Sequence, residues 1–131
     1  MNFLAHLFLA EEDDCSRLGS LLADFSRVPN GKLVAAYGPA IAAGVRHHRE
    51  VDAFTDAHAA VNRCVSRLFE RQRHAGRIAI DVLFDHLLSV HWSRFSRTDR
   101  AAFIASCNAA LRRVDTEDAL LPERFRLFAH R

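Results

Sequence analysis

The sequence of 131 residues holds no apolar run near the roughly 20 residues needed to cross a bilayer, so no membrane association is expected. Its 5 Gly and 3 Pro are too few for a collagen-like or linker-dominated chain, and 50% hydrophobic with 26% charged residues excludes a disordered one. The 3 cysteines (Cys15, Cys64 and Cys107) are odd in number and form no CxxC pair. They read as reduced thiols of a cytoplasmic protein, not as a disulfide framework or a zinc site. Neither sign of charge dominates: 18 basic residues face 16 acidic ones, net +2. With no basic patch interleaved with aromatics, no nucleic-acid partner is expected. Lysine is almost missing, Lys32 being the sole example. Arginine suits forked contacts to phosphate and carboxylate, although such a bias also follows from genome composition. The apolar stretch from Phe3 to Ala10 has no basic residue before it and Glu11-Glu12-Asp13-Asp14 after it, unlike a signal peptide.

What is present is helical patterning. Ala, Leu and Arg dominate and strand-like alternation is absent. A first helix capped by Asn2 is expected to run to about Ala10. A second, capped by Asp13, Asp14 or Ser16, carries Leu18, Leu21, Leu22 and Phe25 toward Val28-Pro29-Asn30-Gly31. Further helices are expected from Gly38-Pro39 to Asp56, from His58 to Arg73, from Arg77 to Phe95 and from Asp99 to about Val114, with one more turn in the tail after Leu120. The fold class is all-α: a compact multi-helix bundle of one domain over 1–131.

The informative residues are polar ones on apolar stripes. Ile41, Val45, His48, Asp52 and Thr55 share one helical face, so His48 and Asp52 should point inward, with Asp56 a turn further on. The segment Ile78-Ala79-Ile80-Asp81-Val82-Leu83-Phe84-Asp85-His86-Leu87-Leu88 is apolar nearly all round and should be buried. Asp81 and Asp85, four apart with Leu88 and Trp92 completing their stripe, must then meet something positive, because an unpaired buried charge is too costly. His6 and Asp24 are isolated titratable groups among apolar neighbours. Each admits an ordinary explanation: a satisfied core histidine, a helix cap, or carboxylates paired with Arg46 or Arg49. Together, six groups of metal-ligand type on four helices (His6, Asp24, His48, Asp52, Asp81 and Asp85) point to a metal site of the kind helical bundles build from inward side chains. Mixed imidazole and carboxylate ligands suit Mn, Fe or Zn, and carboxylate richness leans toward Mn or Mg.

These residues lie in blocks that resemble a known family. Met1-Asn2-Phe3-Leu4-Ala5-His6-Leu7, Gly19-Ser20-Leu21-Leu22-Ala23-Asp24-Phe25, the run from Gly44 through His47-His48 to Asp52 and on to Thr55-Asp56, and Asp81-Val82-Leu83-Phe84-Asp85-His86-Leu87-Leu88-Ser89 with His91-Trp92 are similar, in order, to acyl carrier protein phosphodiesterases. The resemblance covers residues 1–95 and implies a fold distantly related to the HD-type phosphohydrolases. It implies hydrolysis of the phosphodiester joining 4′-phosphopantetheine to a serine of acyl carrier protein, with Mn²⁺ as cofactor and Mg²⁺ or Fe²⁺ as substitutes. It carries over His6, Asp24, His48, Asp52, Asp81 and Asp85 as metal ligands, with His86 a further candidate; in the expected mechanism, replacing Asp24 or Asp85 by Ala abolishes activity. The Asp85-His86 order reverses the usual His-Asp doublet.

In that chemistry, Arg49 and Arg46 are expected to meet charge developing on phosphorus, while His86, His47 and Asp56 have open roles. Arg63, Arg67 and Arg71 form a stripe at spacings of four that suits an acidic carrier, or else is an ordinary solvated face. Family members continue through a further helical segment, so this chain is expected to be a C-terminally short form. Its uncovered apolar surface would favour a homodimer. The standing alternatives are another metal-dependent phosphohydrolase, a non-catalytic carrier-binding homologue and a purely structural helical domain.

Overall fold

The computed structural model describes residues 3–68, 73–114 and 120–129, without the side chains of residues 73 and 74. Asn2 as the first cap and Arg71 of the basic stripe lie outside the described residues. Seven α-helices are described: α1 (Phe3–Leu9), α2 (Asp14–Leu22), α3 (Leu33–Ala57), α4 (Ala59–Leu68), α5 (Arg73–Val90), α6 (Arg100–Arg113) and α7 (Glu123–Ala129). No strand occurs among the described residues, as the patterning predicts.

Local chemistry sets the boundaries. Asp13 caps α2, its side chain accepting from the Ser16 amide at 2.8 Å. Asp99 does the same for α6 through the Ala102 amide at 3.1 Å. The third helix begins earlier than predicted, at Leu33, because Gly38-Pro39 kinks it rather than starting it. Gly38 takes φ 77°, a region that costs glycine little. Pro39, which has no amide hydrogen, opens the main segment. The fifth helix stops at Val90. Trp92 sits instead in a single 3₁₀ turn, Trp92–Arg94, with its indole N–H on the Thr98 carbonyl at 2.7 Å and its ring beside Phe8 and Phe103.

The core forms where α2 crosses α3. Leu18, Leu22, Leu33, Val45 and Phe125 are fully buried there, and Phe25 and Phe128 pack edgewise and tilted around Phe125. At the crossing the backbones touch. A Cβ on Gly19 would strike the Ile41 carbonyl, and one on Gly44 would strike the Ser16 carbonyl. Only glycines allow this approach, and it sets the C-terminal end of α2 against the middle of α3. The Asp14–Arg113 ion pair, 2.7 Å, ties α2 to α6.

One expectation fails. The fifth helix is not buried all round: Ile78, Val82, Leu83, Leu87 and Val90 are exposed on its outer side. Only its inner side is covered, by α1 and by Val61 and Val65 of α4, which pack with Ile80 and Phe84. Its hydrophobicity records a face that the described residues do not cover.

Candidate metal centre

Three elements bring four of the predicted residues together. His6 comes from α1, Asp24 from just beyond α2, and His48 and Asp52 from successive turns of α3. The two imidazoles stack with centroids 3.6 Å apart and planes 14° apart. Both Nε2 atoms face Asp52, at 3.0 Å from His6 to Oδ1 and 3.2 Å from His48 to Oδ2. Asp24 Oδ1 lies 3.6 Å from His48 Nε2. The His6 and His48 side chains are 5% and 4% exposed, whereas that of Asp52 is 50% exposed, so the cluster has a buried nitrogen floor and a carboxylate open to solvent. One ligand atom from each of His6, His48 and Asp52 lies within 4.8 Å of the others.

The electrostatics follow from that arrangement. Burial alone would lower the His48 pKa, but hydrogen bonds to Asp24 and Asp52 outweigh it and push the imidazole up to about 9. Burial would likewise raise Asp52, yet bonds from His48 and His6 hold its carboxyl well below the usual range. Two carboxylates and two neutral imidazoles carry −2, which a divalent cation balances. The Nδ1 atoms of both histidines are buried and have no hydrogen-bond partner among the described residues, whereas the two Nε2 atoms converge on the carboxylates. This donor set fits a first-row divalent ion.

The remaining predicted residues lie elsewhere. Asp85 spends both oxygens on the first turn of α1, accepting from the Leu4 amide at 3.0 Å and the Ala5 amide at 2.8 Å. The positive partner required for this carboxylate is thus a helix N-terminus, one residue from His6. Arg49 turns away from Asp81 and Asp85 and binds the Ser26 and Val28 carbonyls at 3.0 and 2.9 Å and Asn30 Oδ1 at 2.7 Å. It fastens the segment that follows Asp24 to α3. Asp81 shares with Asp52 a cavity of about 210 Å³, lined also by Thr55, Asp56, Arg77 and Ile78. Burial, with the nearby charges of Asp52 and Asp56, pushes the Asp81 carboxyl up. Asp56 pairs with Arg77 at 2.8 Å. His47 and His86 are not part of the cluster, and Arg46 is half-buried on α3. Arg63 and Arg67 are exposed on α4. Arg77, one turn before Asp81, was not among the predicted site residues; that spacing of four was the available signal.

Comparison with known proteins decides the family. A family model described as acyl carrier protein phosphodiesterase matches residues 1–131. The chain belongs to that family. Among curated relatives, each named acyl carrier protein phosphodiesterase, that of Serratia proteamaculans is 44% identical over 94 residues, 72% of this chain and 47% of the relative. That of Pectobacterium atrosepticum is 40% identical over 126 residues, 95% and 62% of the two chains. That of Photorhabdus laumondii is 37% identical over 126 residues, 95% and 61%. This member of the acyl carrier protein phosphodiesterase family thus spans about half to three-fifths of the length of these relatives. No solved structure matches it.

Proposed function

We propose that the chain is a metal-dependent phosphodiesterase that releases 4′-phosphopantetheine from holo acyl carrier protein. The observation that carries this is the convergence of His6, His48 and Asp52, with Asp24 alongside, in a member of that family. These four residues are the proposed ligands, for Mn²⁺ first and for Mg²⁺ or Fe²⁺ as substitutes. The chemistry such a cation supplies is Lewis acidity toward the phosphodiester and acidification of water.

The chain's own residues do the rest. Asp52 and Asp81 wall the cavity beside the cluster, and Arg77 offers the phosphoryl oxygens a guanidinium there. Asp81 is the candidate to hold a proton for the departing serine oxygen rather than a direct ligand. Arg49 and Asp85 are positioning residues: one holds the strand of chain after Asp24, the other the first turn of α1 before His6. Water adds to phosphorus, the bond from phosphorus to the serine oxygen breaks, and a proton goes to that oxygen. The products are the apo carrier and 4′-phosphopantetheine.

The same proposal includes a single domain over 1–131, cytoplasmic location, distant kinship to HD-type phosphohydrolases and a homodimer through the outer side of α5. No helix among the described residues is long and apolar enough to cross a membrane. The deciding experiment incubates the chain with holo carrier and Mn²⁺ and follows the carrier's intact mass. Loss of the 4′-phosphopantetheine mass, abolished by a chelator, is expected; an unchanged mass beside an active full-length relative rejects the activity for this chain.

A further inference from the structure

Asn62, near the start of α4, is no part of the metal cluster, yet its whole side-chain amide is engaged beside the site. Its Nδ2 donates to the carbonyls of Asp56 and His58 at 3.1 and 3.2 Å, and its Oδ1 accepts from Arg77 Nη2 at 2.9 Å. Only this orientation pairs every donor and acceptor of the amide. Turned over, it would set an oxygen against two carbonyls and an NH2 against a guanidinium. Arg77 Nη1 donates in turn to the Asp56 carbonyl at 3.2 Å and to Asp56 Oδ1 at 2.8 Å. These bonds leave Nε–H and one Nη2 hydrogen with no acceptor among the described residues. That guanidinium lines the cavity of about 210 Å³ in which Asp52 and Asp81 also stand.

An ion pair between side chains as exposed as those of Arg77 and Asp56, 36% and 57%, holds little in place by itself. A donor serves a phosphoryl oxygen best when it is already aimed, because a long side chain ordered only at binding returns part of its attraction as lost rotamer freedom. We propose that Asn62 is a positioning residue for the reaction: by gripping Arg77 Nη2 it keeps the remaining guanidinium hydrogens available to the phosphodiester in the cavity. This rests on the phosphodiesterase reading of the cluster. Asn62 also closes the end of α3, one turn past Asp52, where the last carbonyls of a helix lack donors of their own. A purely structural residue would do that and nothing more.

Two variants separate these roles. Asn62→Ala removes the acceptor and the donors together, whereas Asn62→Asp keeps an acceptor for Arg77 and loses the donors to α3. With Mn²⁺ and holo carrier, Arg77→Ala should lower kcat/KM about 100-fold and Asn62→Ala about tenfold. Asn62→Asp should recover most of the latter loss although its Tm falls as far as that of Asn62→Ala. In the Arg77→Ala background, Asn62→Ala should change kcat/KM by less than about twofold, since it acts through the arginine. Activity that follows Tm through every variant, or the same loss from Asn62→Ala with and without Arg77, overturns the proposal. Inorganic phosphate titrated calorimetrically into the Mn²⁺-loaded protein gives a reading without turnover. Its affinity should fall with Arg77→Ala and with Asn62→Ala and return with Asn62→Asp. An affinity unchanged by all three substitutions, or no phosphate binding by the parent, overturns the proposal. No turnover of the holo carrier, with phosphate affinity falling and returning in that order, rejects the phosphodiesterase reading and leaves the role of Asn62 standing.

Discussion

At the scale of the residue, His48 is the group whose removal says most. In the metal-free protein its proton is held up to about pH 9, against an ordinary 6.5, by Asp24 and Asp52 in spite of burial. A cation at Nε2 must displace that proton, so Mn²⁺ affinity should rise about tenfold per pH unit as pH climbs toward about 9 and level off above. Calorimetric titration at several pH values checks this; a flat profile would count against His48 as a ligand. The same shift has a sign for folding. A group with a raised folded pKa stabilises fully below its unfolded value, and that contribution fades as pH rises through about 9, so metal-free protein should lose stability on the alkaline side. His48→Ala should lower Mn²⁺ affinity by more than the ~10–100-fold typical of residues behind a ligand. Asp85 is expected to behave differently. Asp85→Asn keeps one acceptor but sets an NH2 donor against the other α1 amide, and should cost about 1 kcal/mol or more of stability, with unchanged metal stoichiometry. Loss of the metal with stability intact would instead make Asp85 a ligand. The spacing of His48 and Asp52 was legible because one helical face carries both. The partner of Asp85 was not legible, since it is a pair of backbone amides, and an amide has no signature in sequence.

At the scale of the element, the crossing of α2 and α3 builds the site. His48 lies one turn beyond Gly44, and Asp24 follows the end of the helix that Gly19 presses against Ile41. Gly44→Ala should cost about 1–3 kcal/mol by overpacking, even though alanine favours helix elsewhere. A separation of the helices also draws Asp24 from His48. Thermal unfolding and Mn²⁺ titration should therefore both register the change. An unaltered Tm would show that the helices part without penalty and that the close approach does not set the site. Sequence patterning located these helices because their apolar stripes and caps are local signals. It set the start of α3 too late because Gly38-Pro39 is compatible with a kink as well as with a beginning, and the choice depends on Leu33 finding the core. It set α5 inside because composition reports how apolar a helix is and not what lies beside it.

At the scale of the whole molecule, the outer side of α5 is the feature without a counterpart. Ile78, Val82, Leu83, Leu87 and Val90 are exposed there, and His86 lies between Val82 and Val90 at spacings of four. Among the described residues no side chain of α5 on this side is a carboxylate or guanidinium, although Arg100 reaches Ser89 at its edge. A twofold axis can set the same face of a second copy against it, since an isologous contact needs only a surface that complements itself. The size of the contact limits its strength. An 18-residue helix is about 27 Å long, so one side of it offers well under the roughly 800 Å² per partner of a standard interface. The expected homodimer is therefore weak, forming at tens of micromolar protein and dissociating on dilution. Sedimentation velocity across that range should show the shift, and Val82→Asp should abolish it by placing like charges across the axis. His86→Leu should tighten it by removing the one polar group from the stripe. A monomer at every concentration, with Val82→Asp indistinguishable from the parent, would mean that a second copy does not cover this face.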